Sequence, residues 1–131
     1  CGGRIVNAVW KCPGVCDVDL ISVYFQCGIG LTGVNLQILA EIGSHVARRG
    51  RPFIIAGDFN NDVDELGDKA WLQSVDAVII AGDGAIGTCT SSNPPTNIDY
   101  FVLSRSLRWM VEKVSIQLGT SIKTPLEYIY E

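Results

Sequence analysis

The run Pro52-Phe-Ile-Ile-Ala-Gly-Asp58-Phe-Asn60-Asn-Asp62 passes from apolar residues directly into acids and amides. Residues two apart in extended chain point to the same side. Asp58 and Asn60 therefore aim at one point beyond the strand that Phe53 to Gly57 predicts. A carboxylate there can orient or deprotonate a water, or hold a hard divalent ion. A neutral amide beside it donates to a phosphoryl oxygen without repelling the anion. Asp and Asn are also good turn and cap formers, and on these letters alone a simple strand-to-helix turn is the favoured reading.

Two other ion or cofactor chemistries are suggested by the letters and fail on spacing. Asp58, Asn60, Asp62 and Asp64 alternate as in an EF-hand loop, but Val63 stands at the glycine position and Lys69 at that of the bidentate glutamate. Gly28-Ile-Gly30-Leu-Thr-Gly33 is a GxGxxG leading into a helix, the placement of a dinucleotide fingerprint. That fingerprint needs an acid at the end of the next strand, roughly 20 residues on. Asp58 is too distant, and a hairpin partner precedes the strand before the glycines. A flexible loop is favoured, with dinucleotide binding through Gly28 to Gly33 as a minor alternative.

The five cysteines are odd in number, and the first residues lack the pattern of a signal peptide, so free thiols and an intracellular location are expected. Cys12 and Cys16 flank Pro13-Gly14 and offer at most half a zinc site. No second pair follows, and His45 is the only histidine.

The elements that must position these residues alternate. Arg4 to Lys11 and Val18 to Gln26 are rich in Val, Ile, Tyr and Trp around the turn Pro13-Gly14, which predicts a hairpin. Ile38, Leu39, Ile42 and Val46 share a face of a helix over Val34 to Arg49, stopped by Gly50 and Pro52. A second helix is expected over Asp64 to Ser74 and a strand over Ala77 to Ala81. After the loop Thr90 to Thr96, strands are expected over Ile98 to Leu103 and Trp109 to Leu118. Hairpins and a helical crossover together give an α/β class with a mixed-strand sheet.

A chain of 131 residues is one domain at most. Its 47% hydrophobic content and mean hydropathy of +0.25 are high for a small self-sufficient domain, yet no apolar stretch is long enough to span a bilayer, so no membrane partner is expected. A net charge of −4 and a pI near 4.9 remove the footprint of a sequence-independent nucleic-acid binder. Arg48, Arg49 and Arg51, and Arg105 and Arg108, read as helix-end and solvated-face charges. The chain starts directly on a strand-like run, and we read it as part of a longer domain.

The order Ile21-Ser-Val-Tyr24, helix, Ile54-Ile-Ala-Gly-Asp58-Phe-Asn60, then Ile98-Asp99-Tyr-Phe-Val-Leu-Ser104 resembles the C-terminal half of the endonuclease/exonuclease/phosphatase superfamily, the deoxyribonuclease I-like proteins. The resemblance covers nearly the whole chain. It implies about half of a four-layer α/β sandwich, with helices on one face of the sheet, and a phosphoesterase that uses Mg2+ or Mn2+. Asp58 resembles the family's water-activating or metal-associated acid, and Asn60 the amide that contacts the scissile phosphate. Tyr24 resembles an active-site tyrosine, and is read equally well as an ordinary strand aromatic. Asp99 resembles the acid that orients a catalytic histidine, the support an imidazole needs to keep its tautomer; a strand-start acid satisfied by nearby backbone is the plainer reading.

The pattern breaks in two places. The family's principal metal-binding Glu and its accompanying Asn belong to the N-terminal half. Where the family carries an Asp-His pair before its last strand, this chain has Gly119-Thr-Ser-Ile-Lys-Thr-Pro125-Leu-Glu-Tyr128. His45, late in the first helix, reads as a helix-flank residue. The expected function is therefore a fragment or degenerate copy of a divalent-metal-dependent phosphoesterase, most like an endonuclease. A noncatalytic binding module that keeps the fold is the alternative. The expected partners are a phosphodiester substrate such as nucleic acid and, against an uncovered sheet face, the missing half of the domain or a second copy.

Overall fold

Ile5, Val23, Ile21, Phe53, Ile55, Tyr100 and Val102 occupy alternate strand positions, and in the structure they form one continuous side of a sheet. The computed structural model describes residues 3–82, 87–89, 91 and 94–114. Its elements are β1 (Ile5–Lys11), β2 (Asp17–Tyr24), α1 (Gly33–Arg49), β3 (Phe53–Asp58), α2 (Val63–Gly67), α3 (Ala70–Ser74), β4 (Ala77–Ile80), β5 (Asp99–Ser104) and a 3-10 helix (Arg105–Met110). The five strands lie in the order β1-β2-β3-β5-β4, with β2 and β3 parallel and the other neighbours antiparallel. This is the expected mixed sheet with helices.

The β1–β2 hairpin closes where Pro13 sets φ and Gly14 takes φ +77°, with the Val15 N–H donating to Cys12 O at 3.3 Å. The parallel β2–β3 pair requires a crossover, and α1 supplies it. Ile38, Leu39, Ile42 and Val46 form its buried stripe. Gly50 ends the helix in a left-handed conformation, its N–H donating to Val46 O at 3.0 Å.

Gly57, one residue before Asp58, is fixed by backbone proximity. At φ +151° a Cβ would stand 2.0 Å from Val23 O, so only glycine lets β3 run this close to β2. The pairing that aligns Tyr24 with Asp58 depends on that contact.

Three expectations need correction. The helix expected over Asp64 to Ser74 is two short helices. Asp68 caps the first and Lys69 is extended, because Gly67 and Asp68 are weak helix formers. The break lets Leu66 reach full burial while the Trp71 indole donates to Leu39 O at 2.9 Å. The strand expected over Trp109 to Leu118 is also different. Trp109 and Met110 end the 3-10 helix, and 111–114 carry no strand; 115–131, including the Gly119 to Tyr128 stretch, lie outside the described residues. Folding back at Arg105 buries Leu107 against Val18 and Leu103, a burial that a continued strand would forfeit. Lastly, Arg51 is no solvated-face charge: its guanidinium pairs at 3.3 Å with Asp19, which is 2% exposed. Truncating Arg51 would leave a buried carboxylate uncompensated, a loss on the order of 3 kcal/mol.

All three α-helices pack on one face. The opposite face carries Val6, Trp10, Leu20 and Phe101, which are 64%, 43%, 38% and 40% exposed. A groove of about 310 Å³ runs along it between Trp10, Ile54, Phe101 and Met110. The 3-10 helix covers only the end near Val18 and Leu103. Among the described residues, no helix is long and apolar enough to cross a membrane.

Candidate functional site

Three strand residues, and Arg4 directly before β1, fall in one row across the open face. Asp58 is paired with Tyr24 on one side and with Asp99 on the other. The β1–β2 ladder extends the row by one position, because the Tyr24 N–H donates to Arg4 O at 3.0 Å. Adjacent strands are spaced ~4.8 Å apart, so cation, phenol, carboxylate and carboxylate stand side by side. The row lies at the C-terminal ends of β2 and β3, where ligand crevices form in sheets with parallel strands.

Tyr24, Asp58 and Asp99 are each followed in sequence by an aromatic on the other face. The doublets are Tyr24-Phe25, Asp58-Phe59 and Asp99-Tyr100. The Phe59 ring stacks on Tyr100 with centroids 4.3 Å apart and 4° between planes, and meets Phe25 at 5.2 Å and 58°. Phe25, Phe59 and Tyr100 are all buried. The polar row thus rests on a locked aromatic layer. Burial pushes the Tyr100 phenol well above its ordinary range, with the negative charges of Asp62 and Glu65 adding to the effect. Its hydroxyl stays neutral and donates to Asn61 O at 3.2 Å.

The turn after β3 is held at every step. The Phe25 N–H donates to Asp58 O at 2.8 Å and the Phe59 N–H to Ile98 O at 2.8 Å. Asn60 adopts φ +46°, which Asn tolerates better than most residues. Its backbone N–H donates to Asp58 Oδ1 at 2.9 Å, and its Nδ2 to Phe25 O at 2.7 Å. The turn-forming reading of Asp58 and Asn60 is therefore realised. It still leaves the second Asp58 oxygen and the second N–H of the Asn60 amide for a ligand. Asp62 caps α2 and also accepts the Asn97 N–H at 2.9 Å, tying the chain before β5 to the same turn.

Asp99 takes its place through Thr88, whose hydroxyl oxygen accepts the N–H groups of Ile98 and Asp99 at 2.9 and 3.1 Å. The Asp99 carboxyl has a raised pKa. Partial burial is the main cause, a hydrogen bond from Thr88 opposes it, and the neighbouring Asp58 charge adds to it. His45 lies on α1, across the sheet from this row, and lines a separate groove with Ile5, Asn7 and Arg48. It cannot be the imidazole that Asp99 would orient.

Two positioning residues were not legible from the motif. Asn35 is fully buried in α1, and its amide accepts the Gln26 N–H at 2.8 Å while donating to Gln26 O and Gly30 O. It ties the end of β2 to the Gly28 to Gly33 loop through Gln26 and the Gly30 carbonyl. Arg4 is the other. Its guanidinium lies 5.2 Å over the Tyr24 ring and donates to Tyr24 O at 3.2 Å. The polar–aromatic doublets at three strand ends were the available signal for the layer, and the hairpin register was the signal for Arg4. Cys12 and Cys16 are free thiols, and among the described residues no cluster of three metal-ligating side chains occurs.

A model of the endonuclease/exonuclease/phosphatase family matches residues 19–113. The fold is similar to that of the endonuclease domain of TRAS1, a telomere-specific non-LTR retrotransposon, with a TM-score of 0.68 and 16% identity over 88% of this chain and 55% of that one. It is also similar to a 3′ phosphatase, NExo from Neisseria, bound to product DNA hairpin (TM-score 0.56, 18% identity, 89% of this chain and 58% of that one). A third similar structure is a beta toxin mutant from Staphylococcus aureus with bound magnesium ions (TM-score 0.52, 18% identity, 78% and 42%). The chain spans about half the length of these structures. No curated protein matches it.

The raised Asp99 pKa has a consequence for stability. The folded state binds the Asp99 proton more tightly than the unfolded chain does, so this contribution is fully present below the ordinary value of 3.8 and is lost as pH rises through the folded pKa. Asp99→Asn should therefore gain stability relative to the parent on going from acidic to neutral pH, and Asp58→Asn should lower the Asp99 pKa. Urea unfolding across pH, with a carboxyl titration by NMR, checks both. A difference between Asp99→Asn and its parent that does not grow with pH would contradict them.

Proposed function

Since the chain belongs to the endonuclease/exonuclease/phosphatase family, we propose that it carries one wall of a divalent-metal-dependent phosphoesterase site that hydrolyses phosphodiesters of nucleic acid. The observation that carries this reading is the row Tyr24, Asp58, Asp99 on one face, at the strand end where the Asn60 amide also lies. In this reading Asp58 is the acid that holds or deprotonates the attacking water. Asn60, anchored through one N–H to Phe25 O, offers the other to a nonbridging phosphoryl oxygen. Tyr24, 53% exposed, provides a face and a hydroxyl for the substrate.

Asp99 and Asp58 present hard carboxylate oxygens from adjacent strands, and their mutual repulsion is what a cation between them would relieve. That donor set fits Mg2+ or Mn2+, which favour one or two carboxylates together with waters and substrate oxygens. When bound, such an ion neutralises charge on the leaving oxygen. The principal Glu ligand implied by the resemblance is not among these residues, so the chain by itself is expected to be weakly active or inactive.

A noncatalytic module that keeps the fold for binding is the second reading, favoured by the position of the single histidine on the far side of the sheet. Cleavage separates the two. In the protein that carries this chain, Asp58→Asn should lower magnesium-dependent cleavage of duplex DNA by at least about 100-fold. Retained cleavage contradicts the phosphoesterase reading, and DNA binding without cleavage by the parent selects the module.

The open apolar face supports the partner side of the proposal, in which the rest of the domain or a second copy covers Val6, Leu20 and Phe101. The isolated chain should self-associate in sedimentation velocity and bind a hydrophobic dye. A monodisperse monomer that binds no dye would contradict this.

A further inference from the structure

We infer that Cys12 and Cys16 form a reversible disulfide across the mouth of the β1–β2 hairpin, a modification site whose oxidant is a small-molecule disulfide such as oxidised glutathione. The pair lies at the end of the sheet away from the row, so it stands independently of the phosphoesterase reading.

Register brings the two thiols together. The antiparallel β1–β2 ladder runs to Trp10 opposite Val18 and Lys11 opposite Asp17. Cys12 and Cys16 occupy the next position on each side, and the Val15 N–H bond to Cys12 O turns the chain back between them. The Tyr24 N–H donates to Arg4 O, which makes the even-numbered residues of β1 the hydrogen-bonded members of the ladder. Cys12 with Cys16 continues that set, in which facing Cα atoms stand about 5.5 Å apart. Disulfides span Cα separations of roughly 4.4–6.8 Å. Strand alternation puts both cysteines on the open face with Trp10 and Val18. Cys16 packs there against Val18, Leu103 and Leu107, and both thiols are free and partly buried.

The other described cysteines are too distant to compete. Cys27 follows the C-terminal end of β2, and Cys89 bridges to Thr96 ahead of β5, both at the end of the sheet that carries the row. The eight residues of β2 separate that end from the hairpin mouth by ~25 Å.

The bond acts on the edge of the sheet. Among the described residues β1 is joined to a neighbour on one side only. Beyond the ladder itself, the mouth of the hairpin is held by the turn and by the 2.6 Å Lys11–Asp17 ion pair, whose lysine is 76% exposed. Exposed pairs of this kind add little. A covalent tie at the same place holds β1 in register on β2, the strand that ends at Tyr24.

The chemistry is thiol–disulfide exchange. One cysteine thiolate attacks oxidised glutathione and expels a glutathione thiolate, leaving a mixed disulfide. The second attacks the protein sulfur of that bond and expels the other glutathione. The two protein thiols give up two electrons and two protons, and one oxidised glutathione becomes two reduced molecules.

The test equilibrates the full chain, carrying Cys1→Ser, Cys27→Ser and Cys89→Ser, in glutathione buffers of graded oxidation, followed by alkylation and intact mass. The expected product has lost two hydrogens, takes up no alkylating agent and carries no glutathione. Its closing constant should be about tenfold larger in native buffer than in concentrated urea, because a bond that stabilises the fold is favoured by the fold to the same extent. Oxidation should also slow amide hydrogen exchange over residues 5–11. Glutathione adducts on Cys12 and Cys16 in place of the internal bond overturn the inference. So does a closing constant no larger in native buffer than in urea, the mark of thiols that are neighbours in sequence alone. Thermal unfolding checks that the serine variant keeps the fold. The parent chain, with the bond located by proteolysis at Asp17 and Asp19 and peptide mass, gives the same decision without the serines.

Discussion

The stack of Phe59 between Tyr100 and Phe25 is the contact on which the rest of the candidate site depends. Each ring belongs to the residue directly after a polar one, so strand alternation turns a packed aromatic layer on one face into an ordered polar row on the other. Moving any one of the three strands by a single residue would bury Tyr24, Asp58 or Asp99 and expose a ring. The layer therefore fixes the register of Tyr24, Asp58 and Asp99 without any of these three having to contact another. Gly57 reinforces the same alignment from the backbone side, because it lets β3 lie against Val23 O where any Cβ would clash.

The two ends of the sheet are built differently. At the end away from the row, charge is neutralised: Asp19 is buried against Arg51, and Asp17 bridges Lys11 and Arg51. At the row, two carboxylates are left adjacent, and partial burial and the Asp58 charge raise the Asp99 pKa. Unrelieved charge at the row is costly to stability. It becomes useful when a cation or a substrate group enters. The open apolar face adjoining the row adds a second unsatisfied surface, and both point to the same side of the sheet.

Much of this was legible in the letters. The hairpin around Pro13-Gly14, the α1 stripe of Ile38, Leu39, Ile42 and Val46, and β3 followed by a polar turn all lie where periodicity and turn chemistry put them. The family was legible from Ile54 to Asn60 and Ile98 to Ser104. What escaped was set by tertiary packing. The split of α2 from α3 follows from burying both Leu66 and Trp71, and the 3-10 helix follows from burying Leu107, neither of which a local pattern encodes. Asn35 was hidden because a buried amide on a helix face looks like a break in the stripe. Arg4 was hidden because its neighbours in space come from register and lie 20 or more residues away. Asp99 next to Asp58 was visible as two motifs, but their adjacency is a property of β5 lying beside β3.

The central claim is that the row on the open face, and no other cluster among the described residues, forms the wall of a site for a hard divalent cation. Substoichiometric Mn2+ added to an isotope-labelled sample tests it directly through paramagnetic broadening of backbone amide signals, which falls off steeply with distance. Broadening centred on Asp58 to Asn60 and on Asp99, reaching Tyr24 and sparing His45 and Arg48 across the sheet, is the predicted result. Broadening centred elsewhere, or none at the row, would contradict the account.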